Sequence, residues 1–376
     1  MKIVLLGTAW PYRGGLASFN ERLIQEFEKE GNDAEIITFN LQYPGILFPG
    51  KTQYSSSPQP VDLKITRKVN SVNPLNWISV GNQIKKMNPD ILIIKYWMPF
   101  MAPCFGTIAG RVKKNNHTKV ICIADNIVPH ERKFYDAAFT KYFIRQMDAF
   151  VVMSESVLKD LAQFNRNKLR ASNPHPLFDN FGNAVSKEQA CEKLNLDPAK
   201  KYFLFFGFVR DYKGLDLLIE AFADPRLKNY DLIIAGEYYT DEKKYLKQIE
   251  DLHLQNRIHQ FKHFIADEDV KYYFCAADLV VQPYKHATQS GVTQIAFHFE
   301  IPMLVTNVGG LGEMVPDGKA GYVVEPDVQS IANALADFAS ADKRNFFIQN
   351  IKEEKKRFGW DRMVNTIIQL YQKLHF

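Results

Sequence analysis

Arg210 and Lys213 stand three positions apart between a run of apolar residues and an apolar helical pattern. Residues 207–214 thus place two cations after a predicted strand and directly before a predicted helix. A helix N-terminus offers unpaired N–H groups and the positive end of a dipole. An arginine can bind phosphate oxygens bidentately, and a lysine adds a compact positive charge. The segment therefore predicts an anion site, and a phosphate suits this combination.

Two more loops with small or polar residues follow predicted strands further along the chain. Residues 283–292 precede a helical run, and residues 307–313 carry a glycine pair. Small side chains let the backbone approach a ligand closely. Three such loops at the carboxyl ends of parallel strands would line one crevice.

The first loop of the chain, residues 7–16, also joins a predicted strand to a predicted helix, which begins with Gly14 and Gly15. The loop lacks the Gly-x-Gly-x-x-Gly spacing of a dinucleotide site and the Gly-Lys-Ser/Thr of an ATPase phosphate loop. The sequence therefore argues against a nicotinamide-dependent oxidoreductase and against an ATPase.

Short apolar runs alternate with helical patterns in both halves of the chain, which is typical of parallel sheets covered by helices. We therefore predict an α/β fold with two doubly wound domains. The predicted strands are 2–6, 34–38, 91–95, 119–124 and 149–153 in the first half, and 202–206, 231–235, 259–263, 279–282, 303–306 and 321–324 in the second.

The predicted domains are residues 1–180 with the C-terminal helix 358–376, and residues 181–357. A polar stretch at 178–200 is expected to link them. Residues 41–76 interrupt the alternation with five prolines and a run of three serines. Long irregular loops within compact domains are uncommon and often functional. Two interpretations stay open: a loop that faces substrate or touches a membrane, and an excursion that packs on its own domain.

Charge is concentrated in the first half of the chain. Residues 1–180 carry 23 Lys and Arg against 15 Asp and Glu, and residues 51–119 carry 11 against 2. The surplus could face an anionic acceptor or lipid head groups, or form a solvated face. No helix-turn-helix, zinc-finger or RNA-binding signature accompanies it, so a nucleic-acid partner is not expected.

The four cysteines are far apart and form no Cys-x-x-Cys pair, which favours a reducing cytoplasm over a disulfide framework or a zinc site. No apolar run approaches the roughly 20 residues of a membrane helix. We expect a cytoplasmic protein that associates peripherally with the inner face of the cell membrane. No metal ligand set and no cofactor are expected.

Taken together and in order, these segments resemble family 4 glycosyltransferases, the retaining enzymes of the GT-B fold. The similarity spans nearly the whole chain. Its motifs are the Gly14-Gly15 loop, residues 126–131 (Asn-Ile-Val-Pro-His-Glu), residues 207–214, Ala235-Gly236-Glu237, Pro283 and the run 309–321.

The resemblance implies two Rossmann-like domains facing a central cleft, with a nucleotide diphosphate sugar on the C-terminal domain and the acceptor on the N-terminal one. Arg210 and Lys213 then hold the donor diphosphate and stabilise it as it leaves, and His130 stands at the reacting centre. The remaining implied residues are Gly14, Gly15, Gly207, Glu237, Gln289, Ser290, Gly291, Val292 and Gln294 for the donor, and Asn126, Glu131 and Trp97 for the acceptor side.

The chain departs from the family at two glutamates that usually bind the donor sugar and the ribose. Ala287 and Ile295 occupy the matching positions, and Gln289, Ser290 and Gln294 are the neutral substitutes nearby. The residues thus indicate a variant branch. The leading hypothesis is retaining sugar transfer from a nucleotide diphosphate sugar to a glycan or lipid-linked hydroxyl. The alternative is a non-catalytic GT-B protein that binds nucleotide or glycan and supports a partner enzyme.

Overall fold

The computed structural model describes residues 1–45, 52–55, 58–128, 133–287, 290–340 and 343–375. The chain divides into two compact units. The first unit comprises Met1–Pro174 and Gly359–Phe376, and the second comprises His175–Phe358. The domain boundaries expected at 180 and 357 fall within a few residues of this division.

The first unit is built on a seven-stranded, all-parallel sheet. Its central strands are apolar except for one lysine each (Lys2, Lys95 and Lys119), as expected for a sheet covered on both faces. The strands are β1 (Lys2–Leu6), β2 (Asp33–Leu41), β3 (Ile65–Asn70), β4 (Ile91–Tyr96), β5 (Lys119–Ala124), β6 (Ala149–Val152) and β7 (Leu169–Ser172), in the order β3-β2-β1-β4-β5-β6-β7.

Helices of the first unit cover this sheet. The helices are α1 (Gly15–Lys29), α2 (Pro74–Met87), α3 (Ala102–Val112), α4 (Asp136–Gln146) and α5 (Glu155–Phe164). Buried side chains of α2 to α5 form one core with every second residue of the central strands. The core therefore fixes one face of the sheet against these four helices.

The second unit is built on a six-stranded, all-parallel sheet. Its order, β10-β9-β8-β11-β12-β13, runs outward in both directions from the pair β8 and β11. This pair is the topological switch point of a doubly wound sheet. The strands are β8 (Lys201–Phe206), β9 (Tyr230–Ala235), β10 (Ile258–Phe261), β11 (Leu279–Gln282), β12 (Met303–Thr306) and β13 (Gly321–Val324).

The helices of the second unit bury an aromatic-rich core against the sheet. Phe203 of β8 stacks on Tyr230 of β9 with ring centroids 4.4 Å apart. The helices are α6 (Lys187–Leu194), α7 (Leu215–Phe222), α8 (Lys243–Asp251), α9 (Val270–Ala276), α10 (Gly291–His298), α11 (Leu311–Met314), α12 (Val328–Ser340) and α13 (Arg344–Glu354).

The last helix, α14 (Trp360–Lys373), belongs to the first unit. It packs on α1, where the rings of Trp360 and Phe19 lie 5.1 Å apart. Its buried residues recur at helical spacing along one face, which is why the sequence pattern predicts this helix. The chain thus returns to its first unit after completing the second.

The fold class is confirmed, with two corrections to the sequence prediction. Residues 41–76 are not one irregular loop, because they contain β3 and the start of α2; residues 46–51, 56 and 57 lie outside the described residues. The polar stretch 178–200 is not a plain linker either, because it contains α6, whose N-terminus is closed by a capping box between Ser186 and Gln189. In the described residues, no helix combines the length and the apolar character needed to cross a bilayer.

Candidate functional site

The switch point of the second sheet brings two of the predicted ligand loops together. Residues 207–214 follow β8, residues 283–290 follow β11, and the two strands are neighbours. The backbone N–H of Lys285 donates to the carbonyl of Tyr212 at 2.7 Å, so the loops are also hydrogen-bonded to each other. Ligands of open α/β sheets bind at this place.

Two glycines allow the loops to pack backbone against backbone. Gly214 has φ 67°, and a Cβ there would lie 1.9 Å from the carbonyl oxygen of Pro283. Gly236, after β9, has φ 150°, and its Cβ would lie 2.1 Å from the carbonyl oxygen of Gly207. Any side chain at either position would push the loops apart.

A 3₁₀ turn, Asp211–Lys213, sets the two predicted cations just before α7. The Nζ of Lys213 lies 3.1 Å from the position that a Cβ on Gly207 would occupy, and 5.5 Å from the ring centre of Tyr284. Arg210 is exposed, with its guanidinium carbon 5.1 Å from the ring centre of Tyr239. Lys213 therefore folds inward over the glycine, whereas Arg210 stays in reach of solvent.

Burial of its ammonium group, reinforced by the charge of Arg210, lowers the pKa of Lys213 to about 7. The nearby carboxylates are already engaged: Asp211 accepts from Lys244 and Thr240, and Asp216 lies 2.5 Å from Lys285 Nζ. Among the described residues, no carboxylate forms an ion pair with Lys213 or Arg210. A bound anion would supply the missing counter-charge.

The first turn of α10 lies beside the same glycine. Val292 Cγ2 is 3.8 Å from the position of a Gly207 Cβ. Ser290 caps this helix by accepting from the N–H of Val292 at 3.3 Å, and Tyr284 Oη lies 3.3 Å from Ser290 Oγ. Gly291 is needed because a Cβ there would lie 2.7 Å from Phe178 Cε2. The structure thus brings Gly207, Lys213 and this turn together.

Gln294 is fully buried and only half satisfied. Its Nε2 donates to Met314 Sδ at 3.7 Å, but its Oε1 has no hydrogen-bond partner in the described part of the chain. An unpaired buried carbonyl costs about 1–3 kcal/mol. Ala287 and Ile295 are buried apolar residues, so their side chains offer no hydrogen-bond acceptor.

An aromatic cluster that the sequence analysis missed lies at the ends of β8, β9 and β10. Phe208 stacks on Tyr239 with centroids 4.5 Å apart, and the ring of Phe264 is 6.2 Å from that of Phe208. Val209 connects the loops that follow β8 and β9. Its N–H donates to the carbonyl of Glu237, and its carbonyl accepts from the N–H of Tyr239, both at 2.9 Å. Glu237 itself is buried. Flat apolar surface beside the Arg210 cation suits a planar heterocyclic base.

In the first unit, those predicted residues that the structure describes lie at the carboxyl edge of the sheet. Gly14 has φ 98° and precedes α1, and Gly15 is the first residue of that helix. Asn126 follows β5 and is half-buried. Trp97 follows β4, donates from Nε1 to Tyr43 Oη at 2.9 Å and packs edge-on against core phenylalanines, so much of its surface serves the core.

His130, Glu131 and Gln289 lie outside the described residues, so their assignments stay predictions. Among the residues that the structure does describe, no group of three or more His, Cys, Asp or Glu side chains could hold a metal ion.

An ion pair next to Asn126 was not anticipated. Lys95, buried in β4, places Nζ 2.6 Å from Asp125 Oδ1 and 3.5 Å from the ring centre of Phe19. Burial lowers the pKa of Lys95, and the Asp125 carboxylate opposes that shift. The pair anchors the loop that begins at the end of β5, directly before Asn126.

Known proteins resemble this chain in sequence. Residues 186–354 match the family described as Glycosyl transferases group 1. Spore coat protein SA of Bacillus subtilis is 24% identical over 214 residues, and that match covers 53% of this chain but only 55% of that protein. An uncharacterised glycosyltransferase of Methanocaldococcus jannaschii is 22% identical over an alignment of 383 positions, which covers 100% of this chain and 99% of the relative.

Solved structures show the same fold along the whole chain. Sucrose-phosphate synthase from Thermosynechococcus elongatus superposes with a TM-score of 0.77 at 16% identity, covering 100% of this chain and 99% of that one. Anabaena HepE in complex with UDP-glucose superposes with a TM-score of 0.73 at 17% identity, covering both chains completely. The chain therefore has the GT-B fold of two Rossmann-like domains, and residues 186–354 of its second unit match the glycosyl transferases group 1 family.

Proposed function

We propose that this protein transfers a sugar from a nucleotide diphosphate sugar to a hydroxyl of a glycan or lipid-linked acceptor, with retention of anomeric configuration and without a metal. The observation that carries the proposal is Lys213, an inward cation with a pKa lowered to about 7 and no carboxylate partner among the described residues. It stands with Arg210 at the switch point of a domain that matches a glycosyltransferase family. The UDP-glucose complex of HepE, a protein of the same fold, supports a donor of this class.

The diphosphate would lie against Lys213, Arg210 and the first turn of α10. When the bond between the anomeric carbon and the phosphate oxygen breaks, its electron pair stays on the phosphate. Fixed cations and N–H groups that face this growing charge lower the barrier more than uniform binding of the substrate would. Because Gly207 has no side chain, Lys213 Nζ can lie close over the backbone of the loop that follows β8.

Without a protein nucleophile, retention requires the acceptor to attack the face that the phosphate leaves. The departing phosphate oxygen can accept the proton of the acceptor hydroxyl as the new carbon–oxygen bond forms. Atoms and charges then balance without a protein nucleophile: the sugar gains the acceptor oxygen and the nucleotide diphosphate keeps the proton. The absence of a carboxylate at Ala287 and Ile295 is compatible with such a step.

Neutral groups would replace those carboxylates in holding the donor. Gln294 Oε1 is buried and lacks a partner in the described part of the chain, so it can accept from a sugar or ribose hydroxyl. Ser290, Gln289 and Glu237 complete the proposed donor side, and the cluster around Phe208 would hold the base. Gly14, Gly15, His130, Asn126, Glu131 and Trp97 form the proposed acceptor and reaction side in the first unit.

The proposal is tested by titrating the protein with UDP-, GDP- and ADP-sugars and following both heat of binding and release of nucleotide diphosphate. Binding of one donor class, with slow hydrolysis that a glycan or lipid-linked acceptor accelerates, is the expected result. Proton NMR of the product should show the anomeric configuration of the donor.

A second function, a non-catalytic GT-B protein that supports a partner enzyme, is favoured by one observation. Ala287 and Ile295 remove the two hydroxyl-binding carboxylates that the family usually carries. Tight binding of a nucleotide sugar without any release of nucleotide, with every acceptor offered, would establish this function and refute transfer.

A further inference from the structure

Three helices of the first unit form one continuous outer layer. α3 packs between α2 and α4 over the same sheet face. Glycines make the contacts close: a Cβ on Gly81 would lie 2.7 Å from Arg111 Cβ, and one on Gly106 would lie 2.6 Å from Tyr142 Cε1. The outer faces of the three helices therefore adjoin, and we call the solvent-facing side of residues 72–88, 102–115 and 133–146 the helix-layer surface.

Polar contacts between α2 and α3 and between α3 and α4 show which side chains face outward. Arg111 Nε donates to Asn82 Oδ1 at 3.2 Å, and Thr107 and Tyr142 join their hydroxyls at 3.0 Å. Side chains three or four positions away on each helix share this face. Ile78 and Lys86 of α2 lie four positions either side of Asn82, so they belong to the helix-layer surface.

The helix-layer surface is strongly cationic. Its three segments contain eight Lys and Arg but one acidic residue, Asp136. That aspartate is buried and accepts from the backbone N–H of Lys133 at 2.7 Å, so it closes the start of α4 and does not offset the surface charge. Of the eight cations, Lys113 alone forms a salt bridge within the described residues, with Asp148 at 2.5 Å.

The same surface carries half of the large hydrophobic side chains that are exposed in the described part of the chain. Leu75 is 78% exposed and Phe134 is 97% exposed. Both lie at the start of a helix that runs antiparallel to the strands, so they project at the same end of the layer. The others are Val72, Ile78, Phe139 and Tyr142.

We propose that the helix-layer surface docks on a bilayer of anionic lipids, with Leu75 and Phe134 inserted between the head groups. Cations attract an anionic leaflet, while protruding apolar and aromatic side chains bury in its interface. Positive charge with almost no carboxylates, spread over helices about 16 to 21 Å long, matches the extended anionic surface of a bilayer. Contact of the apolar Leu75 and Phe134 side chains with water is unfavourable, and insertion into a bilayer removes it. The donor chemistry of the second unit plays no part in this proposal.

Co-sedimentation of the full chain with vesicles tests it. Phosphatidylcholine vesicles with one third phosphatidylglycerol should bind the protein at low salt, and high salt or pure phosphatidylcholine should weaken binding strongly. The double variant Leu75→Ser with Phe134→Ser should lose roughly tenfold or more in partitioning, because two apolar anchors are gone. Lys86→Ser with Lys141→Ser should lose roughly fivefold per cation on anionic vesicles alone.

Matched controls lie in the second unit. Phe346 is 55% exposed, and Lys243 and Lys247 are exposed on α8, so Phe346→Ser and Lys243→Ser with Lys247→Ser remove similar groups elsewhere. These variants should partition like the parent. Equal binding to neutral and anionic vesicles, no binding at all, or equal losses in the controls would overturn the proposal.

Nucleotide-sugar titration of the same variants separates this proposal from the proposed function. Urea unfolding of the Leu75 and Phe134 variant that matches the parent protein, including the transition of the first unit, shows that its loss of vesicle binding is not unfolding. Vesicle binding without any donor binding would uphold the docking surface and refute the transferase function, and the reverse result would do the opposite.

Discussion

At the residue scale, Lys213 makes donor binding depend on pH. Its pKa in the free protein is about 7, lowered first by burial and then by Arg210. A diphosphate binds the charged lysine and raises its pKa, so affinity should be constant below pH 7. Above pH 7 it should fall by up to tenfold per pH unit until the pKa of the bound lysine is passed, with proton uptake on binding.

A nucleotide sugar is the right ligand for this measurement, because it lacks the second phosphate ionisation near pH 6 of a monoester. Calorimetric titration between pH 6 and 9, in buffers of different ionisation enthalpy, gives affinity and proton uptake together. Lys213→Met should bind roughly 10- to 100-fold more weakly at pH 6 and lose the pH dependence. Lys247→Met is the control, and a pH-independent affinity in the parent protein would contradict the assignment.

Gln294 should lower the stability of the free protein and strengthen binding of the nucleotide sugar. Its Oε1 is buried without a partner in the described part of the chain, so Gln294→Met should raise the free energy of unfolding by up to about 1–3 kcal/mol. The same variant should bind the nucleotide sugar roughly tenfold more weakly, because a hydrogen bond to the ligand is lost. Urea unfolding and calorimetry measure the two effects.

Gln282 provides the control for that prediction. It is equally buried, but both polar atoms of its amide are hydrogen-bonded to Thr293 Oγ1: Nε2 at 3.1 Å and Oε1 at 3.3 Å. Gln282→Met should therefore destabilise the fold. If both variants lost stability alike, Gln294 Oε1 would not be a group reserved for a ligand.

At the element scale, the meeting of the β8 and β11 loops depends on Gly214. Alanine there meets two costs: about 1–2 kcal/mol for its left-handed backbone and about 1–3 kcal/mol for the collision of Cβ with Pro283. Gly318 has nearly the same φ, 68° against 67°, but nothing within 4 Å of its Cβ position. Gly318→Ala should therefore show the backbone cost alone in urea unfolding.

Gly214→Ala should also weaken donor binding, whereas Gly318→Ala should leave it unchanged, because only the first glycine shapes the site. Equal losses of stability in the two variants would mean that the loops can separate without strain. The close contact between the loops would then have no energetic role.

Sequence reasoning succeeded for elements whose signal is local. Buried strands such as β4 and β9 are apolar at all but one position each, and the α14 pattern repeats at helical spacing, so both kinds were predicted. The missed strands, β3 and β7, are the two edges of the first sheet, and their mixture of polar and apolar residues resembles a loop. The pairing of these edges is decided by neighbours that are distant in sequence.

The candidate site divides in the same way. Arg210, Lys213 and their glycines could be predicted as candidates because the loop carries them in one short segment. The aromatic cluster of Phe208, Tyr239 and Phe264 was missed, because its members come together only through the register of three strands. Lys95 and Asp125 are 30 positions apart and meet for the same reason. A lysine within an otherwise apolar strand was the one signal that could have indicated the pair.

At the scale of the whole molecule, the second unit has a core and a sheet of its own and is continuous in sequence, His175–Phe358. The first unit is not continuous, because it includes α14, whose Trp360 packs on Phe19. A fragment of residues 175–358 should therefore fold alone, whereas residues 1–174 without α14 should expose apolar surface and aggregate.

The isolated 175–358 fragment separates donor binding from transfer. Because Lys213, Arg210, Gln294 and the aromatic cluster all lie within it, the fragment should show cooperative urea unfolding and retain most of the affinity for the nucleotide sugar. It should release no nucleotide diphosphate with any acceptor, since the proposed acceptor residues, among them Asn126, belong to the first unit. Lys213→Met in the fragment controls for unspecific binding. Turnover by the fragment alone would show that the second unit contains the whole reaction centre and would remove the first unit from the proposed chemistry.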